Sequence, residues 1–252
     1  VPYSPPIPGM PQYTRFRRVP RRETRNGIDV HYPRFLTGPG SWLYSYEWRP
    51  YYAAVRAVSD RLHRERPFDV IHAHFTYPDG FVAARLAARY QIPFVITEQA
   101  DWFQFLGAHP RLERAAVEAA KRSAAVIAVS ESLRRSIVHY TGAAANVVVI
   151  SNTVDGAMFT PGPPAPAPAQ DRLLFVGLVR YVKGLDVLLR AVRLLLDRGR
   201  SVQLAIVGES FYEHYRREYA GLVALCDALG ISSRVEFLGG KAPEDVAAEM
   251  RA

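Results

Sequence analysis

The chain has 252 residues, of which 49% are hydrophobic, 22% charged and 12% aromatic, with a formal net charge of +8. That length excludes a mini-protein held by staples, and the composition is too apolar for a disordered chain and too charged for a membrane bundle. No apolar run reaches the ~18 residues of a membrane span, and the single cysteine, Cys226, excludes a disulfide framework and a cysteine zinc site and fits a reducing, cytoplasmic compartment.

The chain opens on Val1-Pro2-Tyr3, without the basic start and apolar core of a signal peptide, so a processed or truncated N-terminus is expected. Within the first 35 residues Arg15, Arg17, Arg18, Arg21, Arg22, Arg25 and Arg34 stand against Glu23 and Asp29. Such a patch suits an anionic membrane face or a phosphorylated substrate. It is equally the mark of an arginine-preferring surface, since only Lys121, Lys183 and Lys241 are lysines. Nucleic acid is not expected as a partner, because no finger, recognition-helix or RNA-sheet signature accompanies the charge.

A helix is predicted from about Trp48 to Arg66, with Tyr51, Val55, Val58 and Leu62 at helical spacing. Strands are predicted over 68–73, 93–97, 125–129 and 147–150. Helices are predicted over 80–90, 112–122 and 132–140. Continuous apolar strands alternating with amphipathic helices predict a parallel sheet covered on both faces. Residues 161–168 hold five prolines and read as a semi-rigid extended linker. Beyond it the alternation resumes. Strands are expected at 173–177, 202–207 and 235–239. One helix carries Leu185, Leu188, Leu189, Val192, Leu195 and Leu196 on one stripe. A second carries Tyr215, Tyr219, Leu222, Cys226 and Leu229 and stops at Gly230, and a third starts at Pro243.

Ligands of open parallel sheets bind where strand carboxyl ends meet helix N-termini. That rule selects His72-Ala73-His74, Thr97 to Asp101, Ser130-Glu131 and Ser151 to Asp155, then Gly177 to Gly184, Gly208 to Ser210 and Gly239 to Lys241.

These segments carry a resemblance. Asp69-Val70-Ile71-His72-Ala73-His74, Val126-Ile127-Ala128-Val129-Ser130 and Ser151-Asn152-Thr153-Val154-Asp155 with Phe159 and Pro161 resemble the first domain of group 1 (family 4) retaining glycosyltransferases of GT-B fold. Phe175-Val176-Gly177, Lys183-Gly184-Leu185-Asp186-Val187-Leu188-Leu189-Arg190-Ala191 and Leu204-Ala205-Ile206-Val207-Gly208 resemble the start of its second domain. The likeness runs in unbroken order from about residue 68 to 250.

The resemblance implies an α/β chain of two Rossmann-like domains: residues 1–160 on the acceptor side, a linker at 161–170, and residues 171–252 as the start of a nucleotide-sugar donor domain. The second domain is expected to be incomplete, without the family's glutamate pair, and the first to lack its first strand and glycine loop, as in an internal piece of a longer enzyme. The implied reaction is transfer of a sugar from a nucleotide-sugar to a sugar, lipid-linked or small-molecule acceptor, with retained anomeric configuration. No cofactor or metal is expected, the nucleotide-sugar being a substrate. Lys183 matches the family's phosphate-binding lysine; Arg180 is a candidate helper, and Gly177 lets backbone approach the diphosphate. Gln99, His74, Glu98 and Asp101 are expected to face the transferred sugar or the acceptor.

Three departures stand out. Leu178 replaces an arginine often found after the glycine, Gln99 replaces a histidine, and Thr153 replaces the glycine of Asn-Gly-Val-Asp. Leu178 and Gln99 favour the alternative of a degenerate, non-catalytic protein that binds a nucleotide or a partner. His72 and His74 share one strand face but lack an evident third metal ligand beyond Asp79, so His72 is expected to pack in the core, with His74 near the site. Trp42, Tyr44, Tyr46, Trp48, Tyr51 and Tyr52 read first as packing at a helix entry, and otherwise as a platform for an acceptor sugar or lipid. The basic N-terminal segment is a candidate for docking at the inner membrane face or on a phosphorylated acceptor.

Overall fold

A computed structural model describes residues 2–3, 16–36, 45–100, 109–142, 146–162, 171–209 and 213–251. The chain divides into two compact units, Val1–Thr153 and Val154–Ala252. The break precedes the proline stretch. Arg251 donates to the Met158 carbonyl at 3.2 Å and its side chain packs against Gly162, which fastens residues 158–162 to the second unit. The predicted linker residues 163–170 lie outside the described residues.

In the first unit β1 (Pro2–Tyr3) pairs in parallel with β4 (Phe35–Leu36), and β2 (Arg22–Arg25) forms a hairpin with β3 (Ile28–His31). The hairpin turns on Asn26 (φ 47°) and Gly27 (φ 79°), the pair of positive φ values that an Asn-Gly turn supplies. Helix α1 (Trp48–Glu65) follows, half-buried through Tyr51, Val55, Val58 and Leu62.

Four parallel strands then pair in chain order: β5 (Ile71–His74), β6 (Phe94–Glu98), β7 (Ala125–Ala128) and β8 (Val147–Val149). Their connections are α2 (Phe81–Tyr90), α3 (Pro110–Arg122) and α4 (Glu131–Thr141). Helix α4 starts where Ser130 caps it, its hydroxyl accepting from the Leu133 N–H, and stops at Gly142 (φ 65°). The core joins Phe94, Ile96, Val126 and Ala128 of the sheet to Ala84, Leu112, Ala116 and Ile137 of the helices. Alanines on α2 and α3 let the helices lie close to the sheet. The edge strand β8 leaves Val148 and Val149 exposed, so the expected two-sided cover is not complete there.

The second unit has parallel strands in the order β11–β10–β9, from β9 (Asp171–Val176), β10 (Val202–Val207) and β11 (Val235–Gly239). Helix α5 (Leu185–Asp197) buries Leu185, Leu189 and Val192, the centre of the predicted stripe. Helix α6 (Glu213–Ala228) buries Leu222 and Cys226, and α7 (Pro243–Arg251) buries Ala247. Each fully buried leucine contributes about 1.5–3 kcal/mol relative to exposure. Both units are parallel sheets flanked by helices. Among the described residues no helix is long and apolar enough to cross a membrane.

Candidate functional site

Residues at the carboxyl ends of β5 and β6 come together in the first unit. The rings of His72 and His74 stack with centroids 4.8 Å apart. His72 Nε2 lies 2.7 Å from Thr97 Oγ1, and Gln99 Nε2 lies 3.0 Å from His74 Nδ1. His74 and Gln99, both exposed, thus form one polar group supplied by neighbouring strands. His72 is exposed as well, a correction to its expected place in the core: among the described residues β5 lies at the edge of its sheet, and this face of it is uncovered by the helices. Partial desolvation of its ring, and then the nearby His74, lower the His72 imidazole from its ordinary 6.5 although the residue is largely exposed.

Glu98 departs from its expected role. It is only 1% exposed and faces inward. One carboxylate oxygen accepts the Thr76 N–H at 2.8 Å and the Thr76 hydroxyl at 2.5 Å. The other accepts the N–H groups of Gln99 at 3.1 Å and Ala100 at 3.3 Å. Both oxygens being occupied, Glu98 shapes the two loops around His74 and Gln99 rather than facing a sugar. Phe75, at φ 69° and ψ 141°, sits in a region nearly restricted to glycine, which points to a turn held by its surroundings. Gly80 closes that turn, its N–H donating to the Phe75 carbonyl at 3.0 Å. Asp101 lies outside the described residues.

Behind the turn, Tyr51 donates to Asp79 Oδ1 at 2.5 Å. Burial raises the Asp79 carboxyl above its ordinary range, while the Tyr51 hydrogen bond opposes the rise. Burial first, then the Asp79 charge, raises Tyr51. This pair was not legible from spacing, because its partners lie 28 residues apart.

Part of the aromatic cluster forms a wall. Trp48 meets Phe81 edge-on at 5.1 Å, and the Arg85 guanidinium lies 4.6 Å from the Trp48 ring and 3.5 Å from that of Phe81. Tyr51 packs on Phe35 at 5.1 Å. Trp42 and Tyr44 lie outside the described residues. The basic segment is partly neutralised by itself: Arg22 pairs with Asp29, Arg25 with Glu23, and Arg34 donates to the carbonyls of Arg17 and Val19. Arg18 and Arg21 remain exposed. Among the described residues no group of three His, Cys, Asp or Glu side chains is placed to hold a metal ion.

In the second unit three strand ends meet through glycines. A Cβ on Gly208 (φ 154°) would lie 1.7 Å from the Gly177 carbonyl oxygen. The Gly177 N–H donates to Val207 at 2.9 Å, and the Gly208 N–H to Gly239 at 2.8 Å. This backbone surface, bare of side chains, leads into a short 3₁₀ turn, Tyr181–Lys183, closed by Gly184 at φ 73°. Helix α5 begins at Leu185, so Lys183 sits two positions ahead of it. Lys183 is exposed and makes no ion pair among the described residues.

Arg180 is differently placed. Its guanidinium lies 3.8 Å from the Tyr215 ring centroid and 3.6 Å from Glu218, both on α6. Glu218 also accepts the Tyr181 N–H at 3.0 Å. Arg180 therefore ties the turn to α6, and Lys183 is the unpaired cation of this loop. Lys241 is likewise engaged, donating to Glu249 at 2.6 Å. That bond, with Arg172 beside it, holds the Glu249 carboxyl below its usual range.

Solved glycosyltransferases share this architecture. Anabaena Alr3699/HepE in complex with UDP-glucose matches with a TM-score of 0.65 at 21% identity, over 85% of this chain and 57% of that chain. Sucrose-phosphate synthase (tll1590) from Thermosynechococcus elongatus matches with a TM-score of 0.73 at 18% identity, over 93% of this chain and 60% of the other. The fold is that of the GT-B class.

The Glycosyltransferase Family 4 model matches residues 11–157, and the Glycosyl transferases group 1 model matches residues 163–252. The chain belongs to the group 1, family 4 glycosyltransferases. A D-inositol 3-phosphate glycosyltransferase of Frankia alni (strain DSM 45986 / CECT 9034 / ACN14a) is 31% identical over 195 residues, which is 69% of this chain and 47% of that protein. The chain spans about half the length of the curated relatives it matches.

Proposed function

We propose that the protein transfers a sugar from a nucleotide-sugar donor to an acceptor with retention at the anomeric carbon. The observation that carries this reading is the unpaired Lys183 at the head of α5, beside strand ends opened by Gly177 and Gly208. A departing nucleoside diphosphate develops negative charge on its bridging oxygen. An ammonium group, backbone N–H groups and a helix N-terminus stabilise that charge where it forms. Family membership supports the reading, as does the UDP-glucose held by Anabaena Alr3699/HepE. The bond from the anomeric carbon to the diphosphate oxygen breaks, and the acceptor oxygen bonds to that carbon on the same face. The acceptor proton leaves with the nucleoside diphosphate or to solvent. Lys183 supplies the positive charge, and the nucleotide-sugar is consumed as a substrate rather than held as a cofactor.

His74 and Gln99 are the polar group assigned to the transferred sugar or the acceptor hydroxyl. With the Gln99 amide donating to His74 Nδ1, the other ring nitrogen keeps its proton and can donate to a sugar hydroxyl. The acceptor is a sugar, a small polyol or a lipid-linked sugar, and the exposed Arg18 and Arg21 could assist docking at an anionic membrane face.

The test is incubation of the protein with a panel of nucleotide-sugars that includes UDP-glucose, monitoring release of nucleoside diphosphate and the anomeric proton of the product by NMR. Transfer with the donor's own anomeric configuration is expected. Inverted product would overturn the retaining assignment, and nucleotide binding without turnover of any donor would favour the degenerate, non-catalytic alternative.

A further inference from the structure

We infer that Glu218, on α6, is a positioning residue for the donor site: it holds the turn that carries Lys183 in the shape that meets a nucleoside diphosphate. The inference rests on the donor reading of Lys183. The turn is anchored on both sides, by Val179 before it and Leu185 after it, each fully buried. Between these anchors Tyr181, Val182 and Lys183 are exposed. The turn's own bonds run from the Lys183 N–H to the Arg180 carbonyl at 3.1 Å and from the Gly184 N–H to the Tyr181 carbonyl at 2.8 Å. So short a 3₁₀ run is weak by itself, because its hydrogen-bond geometry is poor. Its shape therefore depends on contacts from outside the turn.

Helix α6 supplies those contacts along one face, where Tyr215, Glu218 and Leu222 follow each other at helical spacing. Leu222 is fully buried and fixes the helix in the core of the second unit. One turn earlier, Glu218 accepts the Tyr181 N–H at 3.0 Å, a charge-assisted bond to the first residue of the 3₁₀ turn. Gly221 allows the close approach, since a Cβ there would run into the Tyr181 hydroxyl. Glycine inside a helix is destabilising relative to alanine, so α6 gives up some stability to seat Tyr181. A carboxylate beside a diphosphate would repel it. Arg180 offsets that charge, with its guanidinium 3.6 Å from Glu218 and held on the Tyr215 ring. Glu218 thus acts through its acceptor oxygen and Arg180 through its charge, and Lys183 is the cation presented to the ligand.

The test is calorimetric titration of a nucleoside diphosphate, whichever of UDP, ADP and GDP the wild type binds most tightly. The proteins are wild type, Glu218→Ala, Glu218→Gln, Lys183→Ala and the Glu218→Ala/Lys183→Ala double variant. Glu218→Ala should weaken binding at least about fivefold. Glu218→Gln keeps an amide oxygen for the Tyr181 N–H and should stay within about twofold of wild type. The double variant should bind within about twofold of Lys183→Ala, because Glu218 acts through the lysine. Hydrogen exchange at the Tyr181 and Gly184 amides, read by NMR without nucleotide, should quicken in Glu218→Ala and not in Glu218→Gln. Glu218→Asp, with the charge kept but the reach shortened, should weaken binding as the alanine variant does, and it gives the same readout should Glu218→Ala fold poorly. A lowered melting temperature with wild-type affinity in both the Ala and Asp variants would make Glu218 merely structural and overturn the proposal. It is equally overturned by a Gln variant as weak as Ala, or by losses that multiply in the double variant. A weakened Lys183→Ala beside an unaffected Glu218→Ala removes the role of Glu218 alone. Wild-type affinity in Lys183→Ala, or no binding of any of the three nucleotides by wild type, removes the donor reading and this role with it.

Discussion

Thr76 and Glu98, each 1% exposed, share a carboxylate oxygen: the Thr76 N–H and hydroxyl both donate to Glu98 Oε2, at 2.8 and 2.5 Å. With the two N–H bonds to its other oxygen, a buried carboxylate is matched by four donors. Glu98→Gln replaces one acceptor with an NH₂ group that meets N–H groups head-on. The expected loss is about 2–4 kcal/mol of stability, read from the urea midpoint. An unchanged midpoint would show that these hydrogen bonds do not hold the loops.

The Tyr51–Asp79 pair makes a pH-dependent prediction. Burial raises the Asp79 carboxyl above 3.8, so its contribution to stability is fully present below about that pH. The contribution is lost as pH rises through the raised folded value. Tyr51→Phe removes the hydrogen bond that opposes the rise and leaves the carboxylate buried without its donor. The variant should be about 1.5–3 kcal/mol less stable than wild type at neutral pH, with the deficit shrinking as the solution is acidified. Urea unfolding at a series of pH values measures this, and a deficit that grows towards acid would contradict the assignment.

Gly208 tolerates no side chain. Its φ of 154° is strained for any other residue, and a Cβ would collide with the Gly177 carbonyl oxygen. Gly208→Ala should cost at least about 3 kcal/mol and weaken nucleotide binding along with stability. A variant with wild-type melting temperature would refute the close approach of these strand ends.

Arg180 and Lys183 should separate stability from binding. Arg180 packs on Tyr215 and pairs with Glu218, so Arg180→Ala should lower stability by about 1 kcal/mol and affect nucleotide binding less than Lys183→Ala does. Thermal melts and UDP titrations of both variants check this; a reversed order would make Arg180 the diphosphate cation.

Strands such as β7 and β8 were legible as short continuous apolar runs, whereas β5, Ile-His-Ala-His, starts three residues later than the predicted 68–73; the helices were legible because α5 and α4 bury residues at helical spacing, such as Leu185, Leu189 and Val192. The β2–β3 hairpin escaped the reading because Arg-Glu-Thr-Arg and Ile-Asp-Val-His lack a clean apolar alternation. Exposed side-chain pairs such as Arg22–Asp29 and Thr24–Asp29 hold it instead. Its Asn26-Gly27 turn was the available signal. The rule of strand carboxyl ends selected His74, Gln99, Gly177 and Lys183, which the structure places at or just beyond strand ends, whereas side-chain direction was hidden. Nothing local distinguishes an inward Glu98 from an outward one, since its four donors come from two loops. His72 was misplaced because strand order, which among the described residues puts β5 at the sheet's edge, is not written in the strand itself.

The most direct test of the account is calorimetric titration of UDP into the wild-type protein and Lys183→Ala. Lys183 is exposed and unpaired among the described residues, so the variant should keep its fold to within about 0.5 kcal/mol. The account predicts UDP binding at least about tenfold weaker in the variant, with an unchanged melting temperature. Equal affinity in the two proteins would contradict the placement of the donor diphosphate at the head of α5.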